Sequence, residues 1–136
     1  MSGPSVNLEV LNEEECRELL VGHPHQTGRI AFASGDRVLV LPLNYRYHDG
    51  AIVFRTEAGT EIDALADGAA VSFQVDSVDP TWQEGWSVLV EGTLEAVVDA
   101  EERREIHTLP LRSWAPGERD RTYRIDPATL SGRRIV

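Results

Sequence analysis

The chain has 136 residues, with 13 basic and 23 acidic side chains for a formal charge of −10, and 41% of its residues are hydrophobic. That length and composition suit one folded domain with its own core, and the acidity argues against nucleic acid as a main partner. There is no lysine, so a lysine Schiff base and a phosphate-loop lysine are both excluded, and no apolar run nears the roughly 18 residues that would span a bilayer.

Residues 1–10 open with the polar, breaker-rich MSGPSVN and are expected to form a flexible arm, with the folded domain covering 11–136. A short helix follows: Asn12 is a good N-cap, Glu15 completes a capping-box pair, Leu11 and Cys16 take the staple positions, and Gly22 ends it. Cys16 reads as a packed small residue rather than a nucleophile, and as the lone cysteine it fits a reducing location. With no N-terminal secretion pattern in view, a cytoplasmic protein is expected.

From Thr27 the hydrophobic period becomes two. TGRIAFA is a strand, Ser34-Gly35-Asp36 a turn, and RVLVLPLNYRYH one long strand. Asp49-Gly50 turns into AIVFRT, after which a helix is expected from about Thr60, with Ile62 and Leu65 inward and Gly68 closing it. AAVSFQVDSV places Ala69, Val71, Phe73 and Val75 on one face. Past the loop DPTWQEG, the strand WSVLVEGTLEAVV aligns Trp86, Val88, Val90, Leu94, Ala96 and Val98. AEERREIHTL reads as a polar helix, PLRSWAPGERD as irregular, and TYRID and GRRIV as two short closing strands. Five to seven hairpin-joined strands with short helices predict a mainly β, closed or nearly closed antiparallel barrel.

Three places could carry chemistry. Around Arg55, Thr56 and Thr60, a strand runs through a Gly turn into a helix start, a pattern that offers donors to a phosphate. It also suits an ordinary helix capped by Thr60 with Asp63 as its acid. Pro42 lies inside a long strand and so belongs at an edge or bulge, where Leu41, Pro42, Leu43 and Asn44 could face a flat polar ring. Trp86 could wall a planar ligand beside a Ser87 donor, or could simply pack in the core. His23-Pro24-His25 has no acidic or thiol companion and makes a poor metal pair, while His48 and His107 share no spacing. No nucleophile elbow, dinucleotide fingerprint or catalytic dyad is present.

Charge is uneven: residues 1–55 carry −2, residues 56–102 carry −12 without one arginine, and residues 103–136 carry +4. The acidic middle and basic tail complement each other within a chain or across a dimer, or each is a solvated surface.

Taken in order, LLVGHPHQTGRIAF, VLPLNYRYHDGAIVFRTEAGT, AVSFQVDSVDPTWQEGWSVLVEGTLEAV and RIDPATLSGRR resemble the pyridoxamine 5′-phosphate oxidase-like FMN-binding split barrels. The similarity covers roughly residues 11–136 and is greatest to the small actinobacterial branch that includes nitroimidazole-reductase-like proteins. It implies a six-stranded antiparallel split β-barrel that dimerises and holds FMN in two interface clefts. Val40 to Tyr45 would run along the isoalloxazine, Arg55, Thr56 and Thr60 would approach the phosphate and ribityl chain, and Trp86 and Ser87 would contact the flavin. Relatives carry Lys or Arg after the Thr60 position, where this chain has Glu61. Arg124 or Arg133 of the basic tail is a candidate to compensate.

No second phosphate site for pyridoxamine phosphate is recognisable. The resemblance therefore implies a homodimeric FMN oxidoreductase acting on a small molecule, with no side chain assigned as acid or base. The alternatives are a barrel that no longer holds FMN and serves as a binding module, or one that takes a deazaflavin. Haem ranks last, for want of an axial histidine.

Overall fold

The computed structural model describes residues 7–22, 26–65, 67–111 and 120–135. His23 and His25, and the irregular segment from Arg112 to Arg119, lie outside the described residues. The elements run β1 (Leu8–Leu11), α1 (Glu13–Gly22), β2 (Thr27–Ser34), β3 (Arg37–Asn44), β4 (Arg46–His48), β5 (Ala51–Glu57), β6 (Ala69–Asp79), β7 (Glu84–Ala96), α2 (Ala100–His107) and β8 (Asp120–Ile135).

Seven strands follow one another through the sheet in the order β3-β2-β6-β7-β8-β5-β4, all antiparallel, and β1 pairs with β8 outside that path. The first and last strands of that order, β3 and β4, are joined by Tyr45 alone. The sheet must therefore curl until its two ends meet, which makes it a split barrel. Tyr45 holds the junction: its N–H donates to the Gln26 carbonyl at 2.9 Å, and its fully buried hydroxyl donates to the Leu20 carbonyl at 2.9 Å. Its ring meets Phe73 edge-on at 5.3 Å, and burial pushes its hydroxyl pKa up, so it stays a donor.

The helix start at Asn12 forms as the residues dictate. Glu15 N–H donates to Asn12 Oδ1 at 2.8 Å, and Asn12 N–H donates to Glu15 Oε1 at 3.1 Å. Cys16 and Leu20 are the helix's buried face, and burial raises the Cys16 thiol. Inside the barrel, Ile30, Phe32, Phe54, Phe73, Val75, Val88, Val90, Leu94 and Ile125 form the main core. A smaller core of Val53, Val97, Ile106 and Leu111 lies on the opposite face of β5, under α2. Strand β5 is thus buried on both sides, which is why AIVF reads as an unbroken apolar run.

Five expectations change. Leu8–Leu11, in part within the expected arm of residues 1–10, forms strand β1, because it finds the free edge of β8. The long strand 37–48 breaks at Tyr45 into two, so eight strands stand where six were implied. TYRID and GRRIV are parts of one sixteen-residue strand, with Pro127 accommodated at a bulge opposite Glu91 and Gly92. β7 stops at Ala96, so Val97 turns inward and Val98 is 82% exposed.

The fifth change is the helix expected after Thr60, where residues 58–65 form turns. Only Ala64 N–H reaches back four residues, to the Thr60 carbonyl, and the Leu65 N–H bonds the Ile62 carbonyl instead. The eight residues between Gly59 and Gly68, whose N–H is tied to the Leu94 carbonyl, are too few to repay helix nucleation.

Candidate functional site

The end of β5 and the turns after it form one cluster. Consecutive strand residues point to opposite faces, so Arg55 and Thr56 part company. Arg55 turns toward the smaller core, where its Nη1 donates to the Leu111 carbonyl at 3.4 Å, while Thr56 is buried on the barrel side. Thr60 caps the following turn through Asp63 N–H at 3.3 Å, and Asp63 in return accepts from Gly59 N–H at 3.0 Å. The Tyr123 hydroxyl also donates to Asp63. These two donors, Tyr123 first, hold the Asp63 carboxyl below the ordinary carboxylate range, and burial together with that carboxylate pushes the Tyr123 hydroxyl up. Glu61 points to solvent.

The guanidinium at this end of the barrel is Arg121. It pairs with Thr56 across the β5–β8 ladder, its Nε lies 3.6 Å from Asp63 Oδ1, and its side chain is 59% exposed. With Arg103, Thr122 and Tyr123 it lines a cleft of about 240 Å³. Sequence reasoning missed it, because only the β5–β8 register sets Arg121 opposite Thr56. Arg124, one of the two candidates to offset Glu61, is engaged elsewhere: it donates to Glu102 at 2.5 Å and to Asp126 at 2.9 Å, which raises its pKa further.

Strand β3 is the sheet's edge, and Pro42 sits on it in unbroken register with Arg29, so the missing donor falls at an edge and not at a bulge. Leu41 and Leu43 face the core, whereas Val38, Val40 and Pro42 face outward and Asn44 accepts from the Thr27 hydroxyl at 3.0 Å. Across the same outer face, Arg29 donates to Gln74 at 3.0 Å and to Asp76 at 3.3 Å.

Trp86 and Ser87 lie at the start of β7, opposite Arg134 and Arg133 of β8. Alternation sends the two side chains to opposite faces: Trp86 packs half-buried against the main core, and Ser87 shares the outer face with Arg133. Both border a groove of about 530 Å³ with Leu8, Val78, Arg133 and Ile135, to which Asp76 and Glu84 add carboxylates. That size is within the range of small-molecule sites. No residue of β5 or of the 58–65 turns lines it. Trp86 and Arg55 register twelve positions apart along β8, so the groove and the end of β5 are separate parts of the chain.

A curled antiparallel sheet with a ligand-sized groove beside one end and an arginine cleft at the other defines a split-barrel protein of the ligand-binding kind. Residues 12–134 match the family described as pyridoxamine 5′-phosphate oxidase, and the chain belongs to that family. It is 30% identical over 131 residues to the uncharacterized protein Rv0080 of Mycobacterium tuberculosis, covering 93% of this chain and 84% of that one. Among solved structures it is similar to a Corynebacterium glutamicum protein provisionally named a pyridoxamine 5′-phosphate oxidase, with TM-score 0.82, 30% identity and coverage of 94% and 98%. It is also similar to a FAD binding protein from Mycobacterium smegmatis, with TM-score 0.79, 28% identity and coverage of 93% and 98%. No helix among the described residues is long and apolar enough to cross a membrane.

Proposed function

We propose that this chain is a homodimeric flavoprotein that binds FMN at the interface of two copies and passes electrons or hydride to a small molecule. The observation that carries the reading is the groove on the outer face at the start of β7, where Ser87 and Arg133 stand among Leu8, Val78 and Ile135, a slot for a planar ring in a chain of this family. The dimer is supported by the outer face of the sheet. Val38, Val40, Val78 and Val10 stand exposed there, with Val10 at 83% and Val38 at 76%, a surface that a partner covers. In the proposed dimer the groove of one protomer faces the Pro42 edge and the Arg121 cleft of the other.

In that arrangement the Ser87 hydroxyl donates to a ring acceptor, Arg133 places positive charge beside it, and Trp86, packed against the core behind them, fixes the strand that carries them. Thr56, Thr60 and Arg121 meet the phosphate end. The bound flavin supplies the redox chemistry, and the protein orients it and excludes water. No side chain needs to act as acid or base. The site belongs to a cytoplasmic enzyme in this reading, and neither nucleic acid nor membrane is a partner.

A second reading replaces FMN with FAD. It is favoured by Glu61, whose exposed carboxylate lies beside Thr60 and opposes the doubly charged terminal phosphate of FMN. In FAD that phosphate is part of a diphosphate, so it carries one charge itself and the second lies on the adenylate phosphate beyond it. The Mycobacterium smegmatis relative described as a FAD binding protein supports the same choice. Titration of the flavin-free protein with each flavin, followed by fluorescence, separates the two readings. Tighter FMN, bleached by NAD(P)H or another reductant, upholds the first, and tighter FAD the second. Failure to hold either leaves a cofactor-free binding module or a deazaflavin protein.

A further inference from the structure

A second cluster lies away from that site, where the β4–β5 hairpin meets α2. His48 ends β4, Asp49 follows in the turn with φ of 49°, and Glu105 is in the last turn of α2. His48 Nε2 lies 3.4 Å from Asp49 Oδ2 and 3.5 Å from Glu105 Oε2. The three ligand-type atoms all fall within 4.8 Å of one another. That nitrogen is itself buried and has no hydrogen-bond partner among the described residues, although two carboxylates flank it. A buried ring nitrogen left in this way needs an occupant.

The geometry points to a divalent-cation site of the zinc class, with His48, Asp49 and Glu105 as its three ligands and a fourth position open to water. Zinc bonds of about 2.0–2.2 Å to nitrogen and carboxylate oxygen give a tetrahedral edge of roughly 3.3–3.5 Å, and the two nitrogen–oxygen separations of 3.4 and 3.5 Å match it. The side chains of Asp49 and Glu105 are 82% and 53% exposed, so both can swing to close the remaining edge. One imidazole with two carboxylates suits zinc or a neighbouring transition ion, whereas magnesium and calcium prefer an all-oxygen shell.

Such an ion has structural work to do. Ile106 is the single buried residue of α2, and the core beneath the helix is small. A metal bridging Glu105 to the hairpin fastens the helix where packing is thin. The three residues are distant in sequence apart from the adjacent pair, so only the fold reveals them.

Calorimetric titration of the full-length, chelator-treated chain with Zn²⁺ and then Mg²⁺, with a thermal melt in each ion, tests the site. One Zn²⁺ per chain and a higher melting temperature in Zn²⁺ than in Mg²⁺ are expected. Both effects should survive a His23→Ala/His25→Ala change, while binding weakens at least about tenfold in His48→Ala and in Glu105→Gln. Glu105→Gln, whose metal-free melt should match the parent, keeps the test valid if His48→Ala folds poorly. No Zn²⁺ binding, equal binding of Mg²⁺, unchanged Zn²⁺ binding in Glu105→Gln, or loss of binding in the His23/His25 variant alone would overturn the site.

Discussion

Asp63 spends its carboxylate on Tyr123 and on Gly59 N–H, so the turn carrying Thr60 and Glu61 is held by one acid. Its folded-state pKa is depressed below the unfolded value of about 3.9. The resulting stabilisation is therefore fully present above that value and is lost as pH falls through the lower folded one. Acid titration followed by the NMR signals of residues 59–63 should show this turn loosening below about pH 4. Tyr123→Phe should move that transition toward higher pH, because it removes the donor with the largest effect.

Glu61 gives the second prediction at this scale. Reversing its charge with Glu61→Lys should tighten FMN about tenfold or more, since one unit charge at 4 Å is worth ~1 kcal/mol in water and ~4 near a protein surface. The same change should affect FAD less, and paired titrations read both. Glu61 was legible as a departure from its relatives, because a charge can be read in place. Arg121 was not. Its value lies in standing across from Thr56, and register between strands more than sixty residues apart leaves no mark in local pattern.

The elements whose boundaries were legible carry their own signals. Asn12 and Glu15 announce α1, and period-two alternation announces β2 and β6. Asn12→Ala should cost about 1 kcal/mol in chemical denaturation. The break at Tyr45 was not legible, because one apolar residue in an alternating run carries no sign that the pairing changes from β2 to β5 there. The joining of the last two strands was equally hidden, since Pro127 reads as a terminator until a bulge absorbs it. Gly92 is the residue opposite: a methyl added there would meet the Asp126 carbonyl oxygen at 2.0 Å. Backbone cannot yield as a flexible side chain can, so Gly92→Ala should destabilise the barrel by roughly 1–3 kcal/mol or more, read in the same denaturation experiment.

At the scale of the whole molecule, the proposed dimer rests on the outer face of β3 and β2. Val40 and Val38 stand opposite Ala31 and Ala33, so apolar side chains are exposed to water there. Val40→Glu should leave the fold intact and convert the dimer to a monomer in sedimentation, because a buried unpaired charge cannot be tolerated at such a contact. Flavin should be lost with the partner.

The most direct test of a shared site is complementation between damaged chains. Arg133→Glu and Arg121→Glu each remove one part, and each homodimer should lose most of its flavin. Co-expressed with different tags and purified through both, the mixed dimer carries both lesions in one site and none in the other. About one flavin per mixed dimer, half the parental content, is expected by absorbance against protein concentration. A mixed dimer as empty as either parent variant would instead mean that each chain builds its site alone, and the shared interface site would be wrong.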